Sequence, residues 1–474
     1  MIAMTGPEQV EEVIGELGRR YRTSISGLAD ALDRAVRGEE PSGDPHRFTY
    51  PTLKLHVPAV DRFAGPESFG VIDEPGVYEG SFVGSGLFDG YLREQLNILA
   101  SRYRIDAEVT SGSTPIPVQY LPGERQPDLA ILERFPRVDI MKIDDSIADS
   151  GVSATHRNRP LFLFEPLRVE LALRRLQHYT GSEPEDFQDF VIFTNYRFHL
   201  ECFLEYAAAL SENGGNDTSG LAHYESITGP GGWSARLDKG PVALSEFLRE
   251  FRDSSGRQQM PAWHMKSDRA GITIIDIGVG PSNAKTITDC LAVLRPHCWL
   301  MIGHCAGLDH RMRIGDLILP NSYLRRDHVL DRYVATDTPI PAIAEVQAAL
   351  EFGIESPART GTVMTTADRN WEWQPAGDID KLFAAVAVLG VDMESATIAA
   401  NGYRYRVPYG SLLSISDMPL HNQPKLPSSA REFYLKSKFD HLRAAIVACQ
   451  KMAENKNRMH SRKLRRIVNE VPFR

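Results

Sequence analysis

Apolar residues at the amino terminus recur at steps of three and four. They are Val10, Val13, Ile14, Leu17, Tyr21, Ile25, Leu28 and Leu32. This spacing places them on one face of a helix, so the chain is predicted to open with one long amphipathic helix, or with two helices that join near Gly27. The polar segment 38–47, rich in Gly and Pro, ends this pattern.

The hydrophobic pattern changes near residue 186. Residues 48–185 mix short apolar runs with many Pro and Gly, which is typical of an α+β domain. Beyond them, β-branched runs alternate with helical patterns, as in a layered α/β domain. The predicted strands are DFVIF, GITIIDIGV, CWLMIG, GDLILP, GTVMT, AVAVLGVDM and YGSLLSIS. We therefore predict two domains, 1–185 and 186–474.

Composition excludes several classes of protein. The 474 residues are 42% hydrophobic and 24% charged with a formal net charge of −9, which is ordinary for a globular protein and argues against nucleic-acid coating or a polybasic membrane surface. The five cysteines form no C-x-x-C pair, so no disulfide framework or thiolate zinc site is expected. Without a signal-like start or a long apolar run, the expected location is the cytoplasm.

A strand, a glycine turn and a helix follow one another over residues 271–294. Gly278 and Gly280 permit a tight bend, and the helix start that follows offers free N–H groups to an anion. Asn283, however, stands where a dinucleotide-binding fingerprint needs its third glycine, and no Gly-Lys-Ser/Thr follows. Neither NAD binding nor a Walker loop is favoured.

The strand CWLMIG runs into Gly303, His304, Cys305, Ala306 and Gly307, which we interpret as a turn, built largely of small residues, that lets a ligand contact the backbone. His304 and Cys305 raise the alternative of a nucleophilic cysteine. Cys305 has no recognised partner spacing, and buried cysteine commonly acts as a small apolar residue, so we favour the non-catalytic interpretation.

Two carboxylates follow strands of the α/β domain. Glu394 lies where a strand ends and a helix of small residues begins, and Asp417 follows the strand YGSLLSIS. Carboxyl ends of strands in one sheet face a common crevice, where α/β proteins bind ligands. Taken singly, Glu394 could instead be a helix N-terminal charge and Asp417 a turn residue.

Three motifs carry a family resemblance: G-V-G-P-S-N, I-G-H-C-A-G-L and V-D-M-E-S-A…S-D, in this order. Together they resemble the purine nucleoside phosphorylase and nucleosidase superfamily. From about residue 160 onward the chain also looks like the bacterial AMP nucleosidases, through the phrases FTNYRFHLECF, LAVLRPHCWLMIGHCAGL, HVLD, TADRNWEW, AANGYRYRVPYG and HSRKLRR. The resemblance implies an α/β catalytic domain with a mixed central sheet flanked by helices, beside an N-terminal α+β domain.

That resemblance implies a function. Such enzymes cleave AMP with water into adenine and ribose 5-phosphate, in purine nucleotide salvage and regulation of the adenylate pool. They are homo-oligomers, usually hexamers, activated by MgATP and inhibited by phosphate, and no metal or cofactor is implied for the chemistry. The N-terminal domain is expected to be regulatory, the alternative being that it only holds the oligomer together.

The resemblance also assigns roles to residues. Asp417 matches the acid that protonates the purine, and it needs a raised pKa to hold its proton near neutral pH. Glu394 matches the acceptor for the ribose 2′ and 3′ hydroxyls, with Met393 beside it. Trp371 matches an aromatic residue that stacks on the purine, and Trp373 is the nearby alternative.

For the 5′-phosphate, the resemblance suggests the loop and helix start with Thr194, Asn195 and Arg197, since an N-terminus and a guanidinium both favour a dianion.

The attacking group is expected to be water. Hexameric phosphorylases carry Arg and Ser where this chain has Met301 and His304, so a phosphate nucleophile would lack its binding groups. Short nucleosidases activate water with a Glu shortly after the first strand, and the resemblance offers His199 or Glu201 at this place; the residue that activates water stays open between these two and another group.

Overall fold

The computed structural model describes residues 1–41, 43–60, 72, 74–84, 86–123, 127–145, 148, 161, 164–217, 220–254 and 256–456, except the side chains of 384–385 and 427–438. The described chain forms two compact units, one up to Arg174 and one from Arg175 onward. The division falls inside a helix, Pro166–Thr180. The HSRKLRR phrase, residues 460–466, lies outside the described residues.

The first unit opens with a single helix. Helix α1 (Pro7–Val36) runs unbroken through Gly27, so the alternative of two helices is wrong. Gly27 is needed for packing: a Cβ there would lie 2.3 Å from the Phe48 ring. The glycine therefore permits a close approach without ending the helix.

A small antiparallel sheet packs against this helix. Its described strands are β1 (Ile2–Ala3), β2 (Thr49–Val57), β3 (Gly76–Ser81) and β4 (Asp106–Pro115), in the order β1-β4-β2-β3. Apolar side chains of α1, the sheet and α2 (Asp89–Arg102) form one core. The remaining helices here are the single turn α3 (Leu129–Leu132) and α4 (Pro166–Thr180), which crosses into the second unit.

The second unit contains a mixed sheet of eleven described strands. They are β5 (Phe190–Thr194), β6 (Ser226–Thr228), β7 (Ser234–Arg236), β8 (Ala262–Lys266), β9 (Ile272–Asp276), β10 (Cys298–Gly307), β11 (Leu317–Arg326), β12 (Ile340–Pro341), β13 (Ala358–Thr366), β14 (Val388–Asp392) and β15 (Tyr409–Asp417). The order is β12-β11-β13-β14-β10-β5-β9-β8-β6-β7, and β15 pairs with β10 and β11.

Helices accompany this sheet. They are α5 (Arg197–Glu212), α6 (Leu244–Ser254), α7 (Pro281–Leu291), α8 (Ala344–Gly353), α9 (Ala376–Ala385), α10 (Ser395–Tyr405) and α11 (Pro427–Ala453). The mixed α/β fold predicted for this part of the chain is confirmed, with all seven predicted strands present. The strands β6, β7, β8 and β12 were not predicted; β6, β7 and β12 have only two or three residues, too few to show a period. No helix of the described residues is long and apolar enough to cross a bilayer.

One prediction about the sheet is wrong. Gly303, His304 and Cys305 form no turn, because β10 continues to Gly307. β15 runs parallel along most of β10, and β14 pairs antiparallel with its last residues, so both neighbours hold the backbone extended. The small residues serve this packing: a Cβ on Gly307 would lie 2.9 Å from the Ile415 side chain. The strand changes register with β15 between Cys305 and Ala306.

Strand directions bring several carboxyl ends together. β5 and β15 run parallel to β10, so their ends lie at one edge of the sheet. β14 runs antiparallel to β10. The two strands pair only near the end of each, where Ala306 pairs with Val391 and Gly307 with Gly390. The last residues of β10, β14 and β15 therefore meet, although β14 runs antiparallel to β10.

Candidate active site

A cavity of about 300 Å³ lies where these strand ends meet. Both carboxylates singled out in the sequence, Glu394 and Asp417, line it. The other wall residues used below are Asn195, Tyr196, His304, Cys305, Asp368, Arg369, Trp371, Glu372, Asp392, Met393 and Lys425. All of them belong to the second unit.

Glu394 is held by two hydrogen bonds from distant segments. The Gly280 N–H donates to Oε1 at 2.6 Å, and Asn195 Nδ2 donates to Oε2 at 3.1 Å. Gly280 has a φ of 115°, a backbone conformation that favours glycine. Glu394 is only 1% exposed, and burial together with the neighbouring Asp392 carboxylate raises its pKa to about 8. The loops after β5 and β9 thus orient this carboxyl group.

Asp392 supports the turn that presents Glu394. Its carboxylate accepts hydrogen bonds from the Ser395 N–H at 2.8 Å and from the Thr365 hydroxyl at 2.5 Å, and the Ser395 hydroxyl also donates to it. These contacts tie the end of β14 to the start of α10 and to β13. Burial raises the pKa of Asp392. The two adjacent buried carboxyls therefore disfavour each other's charge.

Asp417 is the last residue of β15. Burial raises its pKa, while a hydrogen bond from the Ser416 hydroxyl at 2.5 Å and the positive charge of Lys425 act in the opposite direction. The net direction is upward, so the proton is held at a higher pH than in an ordinary aspartate. A carboxyl of this kind can serve as a general acid.

Of the residues predicted as a turn, His304, Cys305 and Ala306 reach the cavity wall as strand residues. Burial and the carboxylates of Asp392 and Asp417 raise the pKa of the Cys305 thiol well above its ordinary value. A neutral thiol is a poor nucleophile, which supports the non-catalytic interpretation of Cys305. Gly303 lies against the loop after β5, where a Cβ would be 3.4 Å from Asn195 Oδ1.

The two tryptophans differ in exposure and in their position relative to the cavity. Trp371 lines the cavity and is 7% exposed, with its ring edge-on to Phe383 at 5.6 Å between centroids. Trp373 is 78% exposed and lies off the cavity wall. Met393 lines the cavity beside Glu394. Of the two candidates for purine stacking, the geometry favours Trp371.

Of the three residues suggested for phosphate, only Asn195 lines the cavity. Thr194 is fully buried, and its hydroxyl shares a 2.7 Å hydrogen bond with His199 Nδ1 and accepts another from the Tyr196 N–H at 3.1 Å. The Arg197 guanidinium lies 4.6 Å from the centre of the Phe251 ring. The structure therefore does not bring Thr194 and Arg197 together with the two acids.

Sequence reasoning missed two cations on the wall, Arg369 and Lys425. Lys425 Nζ donates to the Tyr196 hydroxyl at 3.3 Å. Arg369 belongs to the TADRNWEW phrase and Lys425 follows Asp417 by eight residues, so proximity to recognised motifs was the available signal. The two residues suggested for water activation, His199 and Glu201, do not line the cavity.

No group of His, Cys, Asp and Glu in the described part of the chain has the arrangement of a metal site.

Comparisons with known proteins match both units. Residues 248–441 match the phosphorylase superfamily, and residues 12–159 match the family described as bacterial AMP nucleoside phosphorylase N-terminus. Two solved structures also align: AMP nucleosidase from Bacteroides thetaiotaomicron VPI-5482 (24% identity, 61% of this chain and 99% of that chain, TM-score 0.45) and purine nucleoside phosphorylase from Toxoplasma gondii with immucillin-H (16%, 58% and 96%, TM-score 0.42).

The second unit is thus a phosphorylase-superfamily domain with a pair of carboxylates in its cavity. Relatives from Escherichia coli K12 and O157:H7, each named AMP nucleosidase, are 39% identical over 487 aligned positions covering 98% of this chain and 98% of theirs. The chain belongs to the AMP nucleosidase family.

Proposed function

We propose that this enzyme hydrolyses the N-glycosidic bond of AMP to adenine and ribose 5-phosphate. The observation that carries the proposal is that Asp417 and Glu394, which lie at the ends of different strands, line one cavity together with Trp371. Family membership across nearly the whole chain supports the same substrate.

The two acids act on different parts of the nucleotide. Departure of adenine leaves negative charge on the base and positive charge on the ribose. Asp417, whose pKa is raised by burial, donates its proton to N7 of the leaving purine. Glu394 accepts hydrogen bonds from the ribose diol beside Met393, and Trp371 stacks on the purine.

The 5′-phosphate binds Arg369 and Lys425 in this proposal. They line the same cavity, whereas Thr194 and Arg197 lie off its wall. A dianion placed between a guanidinium and an ammonium gains charge-assisted hydrogen bonds. Asn195 is already engaged with Glu394, so its part is to orient the ribose-binding carboxyl group.

Water is the attacking group, because β10, the strand that would face a phosphate nucleophile, has no cationic side chain. Met301 is buried and His304 is held neutral by its surroundings. A phosphate nucleophile would bring a second dianion close to Glu394 with no cation from this strand to bind it.

Product analysis tests the proposal. Purified enzyme with AMP, MgATP and no inorganic phosphate is expected to release adenine and ribose 5-phosphate, quantified by chromatography. Asp417→Asn, which keeps the shape but has no carboxylic proton, is expected to lower kcat by roughly 10²- to 10⁴-fold. Strict dependence on inorganic phosphate, with formation of a ribose 1-phosphate, would establish phosphorolysis instead.

The phosphate site has its own test. Lys425→Met is expected to raise the KM for AMP at least roughly tenfold more than the KM for adenosine, since only AMP carries the dianion. Lys381→Met, which changes an exposed lysine of α9, is the matched control. Equal effects on AMP and adenosine would remove Lys425 from the phosphate site.

Regulation and assembly are also proposed from family membership. The enzyme acts in the cytoplasm in purine salvage, as a homohexamer activated by MgATP and inhibited by phosphate, with the amino-terminal domain as the regulatory part. Light scattering of the full-length protein, and adenine release titrated with MgATP and with phosphate, test these expectations.

A further inference from the structure

Three buried histidines lie against one another behind the cavity. His304 of β10 lines the cavity and is only 6% exposed. Its ring centroid lies 6.1 Å from that of His199 on α5 and 5.5 Å from that of His441 on α11, and these two are 5.9 Å apart. His199 and His441 are fully buried. His304 is thus the member of this histidine cluster that lies on the cavity wall.

The surroundings keep the His304 imidazole neutral. Burial is the main cause that lowers its pKa well below the ordinary value, followed by His441, His199 and the ammonium of Lys425. The Tyr196 ring packs edge-on against it at 4.3 Å between centroids. Burial also lowers the pKa of His199 and of His441. A neutral imidazole has a ring nitrogen that can accept a hydrogen bond from water, and the carboxylate that Asp417 becomes on giving up its proton would favour the imidazolium.

Most of the other candidates on the cavity wall are unsuited to accept a proton from water. Asp417 and Glu394 have the tasks described above, and Asp392 is fully engaged with Ser395 and Thr365. The Cys305 thiol stays protonated. The carboxylates of Asp368 and Glu372 are exposed to solvent.

Strand register places His304 close to the acid, on the strand next to it. His304 pairs with Ser414 and Ala306 with Asp417, so His304 lies two β10 residues from the level of the acid on the adjacent strand. Two residues at about 3.3 Å and one strand spacing of about 4.8 Å place the two Cα atoms roughly 8 Å apart. His304 and Asp417 are therefore neighbours at the same end of the sheet.

We propose that His304 orients the attacking water and accepts its proton. The inference rests on the hydrolysis proposed above. The water oxygen forms a bond to C1′ as the C1′–N9 bond breaks, and the electron pair of that bond leaves with adenine. Asp417 protonates adenine, and the second proton passes from water to His304. Return of this proton to Asp417 through solvent regenerates the enzyme, so the sum is AMP plus water giving adenine plus ribose 5-phosphate.

The test combines His304→Ala with added imidazole. Loss of the base is expected to lower kcat by roughly 10²- to 10⁴-fold and to leave AMP binding, measured by calorimetry, within threefold of wild type. Imidazole at millimolar concentration is expected to raise the rate of the alanine variant at least tenfold. This increase should become larger with rising pH, as the added imidazole deprotonates. His310→Ala, at a side chain that is 79% exposed, is the matched control and should behave like wild type.

A second variant guards against a folding defect. His304→Gln can hydrogen-bond a water but cannot take its proton, so kcat is expected to fall as in the alanine variant while AMP affinity is retained. A wild-type kcat in His304→Gln, or an alanine variant that binds AMP but does not respond to imidazole, would overturn the role of His304. Failure of the wild-type enzyme to release adenine would instead refute the proposed hydrolysis, and with it this inference.

Discussion

Replacing Glu394 with glutamine separates the cost of this residue to stability from its use in catalysis. The Gly280 N–H can donate to the glutamine oxygen as it does to Oε1 of the glutamate. The glutamine NH₂ would face Asn195 Nδ2, but rotation of the Asn195 amide presents Oδ1, which has no hydrogen-bond partner in the wild-type structure. Both hydrogen bonds can therefore form in the variant, while the ionisable group is gone.

The expected gain follows from the raised pKa of Glu394. The pKa of Glu394 is about 8 in the folded protein and 4.5, its ordinary value, in the unfolded chain. Between these two pH values, the carboxyl group is protonated in the folded protein and ionised in the unfolded chain. Stability therefore falls as pH rises through this window, by about 1.4 kcal/mol for each tenfold difference in proton affinity, or roughly 5 kcal/mol in full. Water in the cavity relaxes around the charge, so we expect Glu394→Gln to exceed wild type by about 2–3 kcal/mol at pH 9.

The assay is denaturant unfolding at a series of pH values, with adenine release measured in parallel. At pH 5 the variant and wild type should be nearly equal in stability, and the difference should grow toward pH 9. Catalysis should fall by at least roughly 10²-fold at pH 8–9, where Glu394 of the wild type is ionised, because a neutral amide cannot match a carboxylate as acceptor for the ribose diol. Glu351→Gln, at an exposed glutamate of α8, is the matched control.

The decisive quantity is how the stability difference depends on pH. A difference between variant and wild type that stays constant from pH 5 to pH 9 would refute the reasoning, since it would mean that Glu394 titrates alike in the folded and unfolded protein. A variant that keeps wild-type kcat would refute the ribose-binding role.

Three further perturbations probe the same site. Asp392→Asn removes the charge beside Glu394, so the pKa of Glu394 should fall and tight AMP binding should extend to lower pH. Calorimetry across pH 6–9 measures this, and an unshifted profile would contradict the interaction between the two carboxyl groups. Trp371→Ala should raise the KM for AMP by roughly 5- to 150-fold through lost stacking, while Trp373→Ala, at an exposed side chain, should leave it unchanged; equal effects would disprove the assignment. Gly280→Ala strains a φ of 115° and should cost about 1–3 kcal/mol in denaturant unfolding, whereas Gly377→Ala, in open space within α9, should stabilise slightly, and an unaltered Gly280 variant would contradict the argument.

Local patterns in the sequence were sufficient for much of the fold. The period of apolar positions identified α1, and runs of β-branched residues identified seven strands of the main sheet, because these patterns record which face of an element is buried. Glu394 and Asp417 could be found for a related reason, since each lies at or just beyond the end of an apolar strand, and these strand ends meet.

The tertiary structure decided which side chains meet. The contacts of Glu394 with Asn195 and Gly280 join residues separated by 199 and 114 positions, and no local pattern records such a pairing. The same holds for the histidine cluster, whose members come from β10, α5 and α11. The sequence reading of a turn at Gly303 failed because small residues are consistent both with a bend and with a strand packed closely between neighbours. Strand pairing and burial choose between these outcomes, and both depend on parts of the chain far away in sequence.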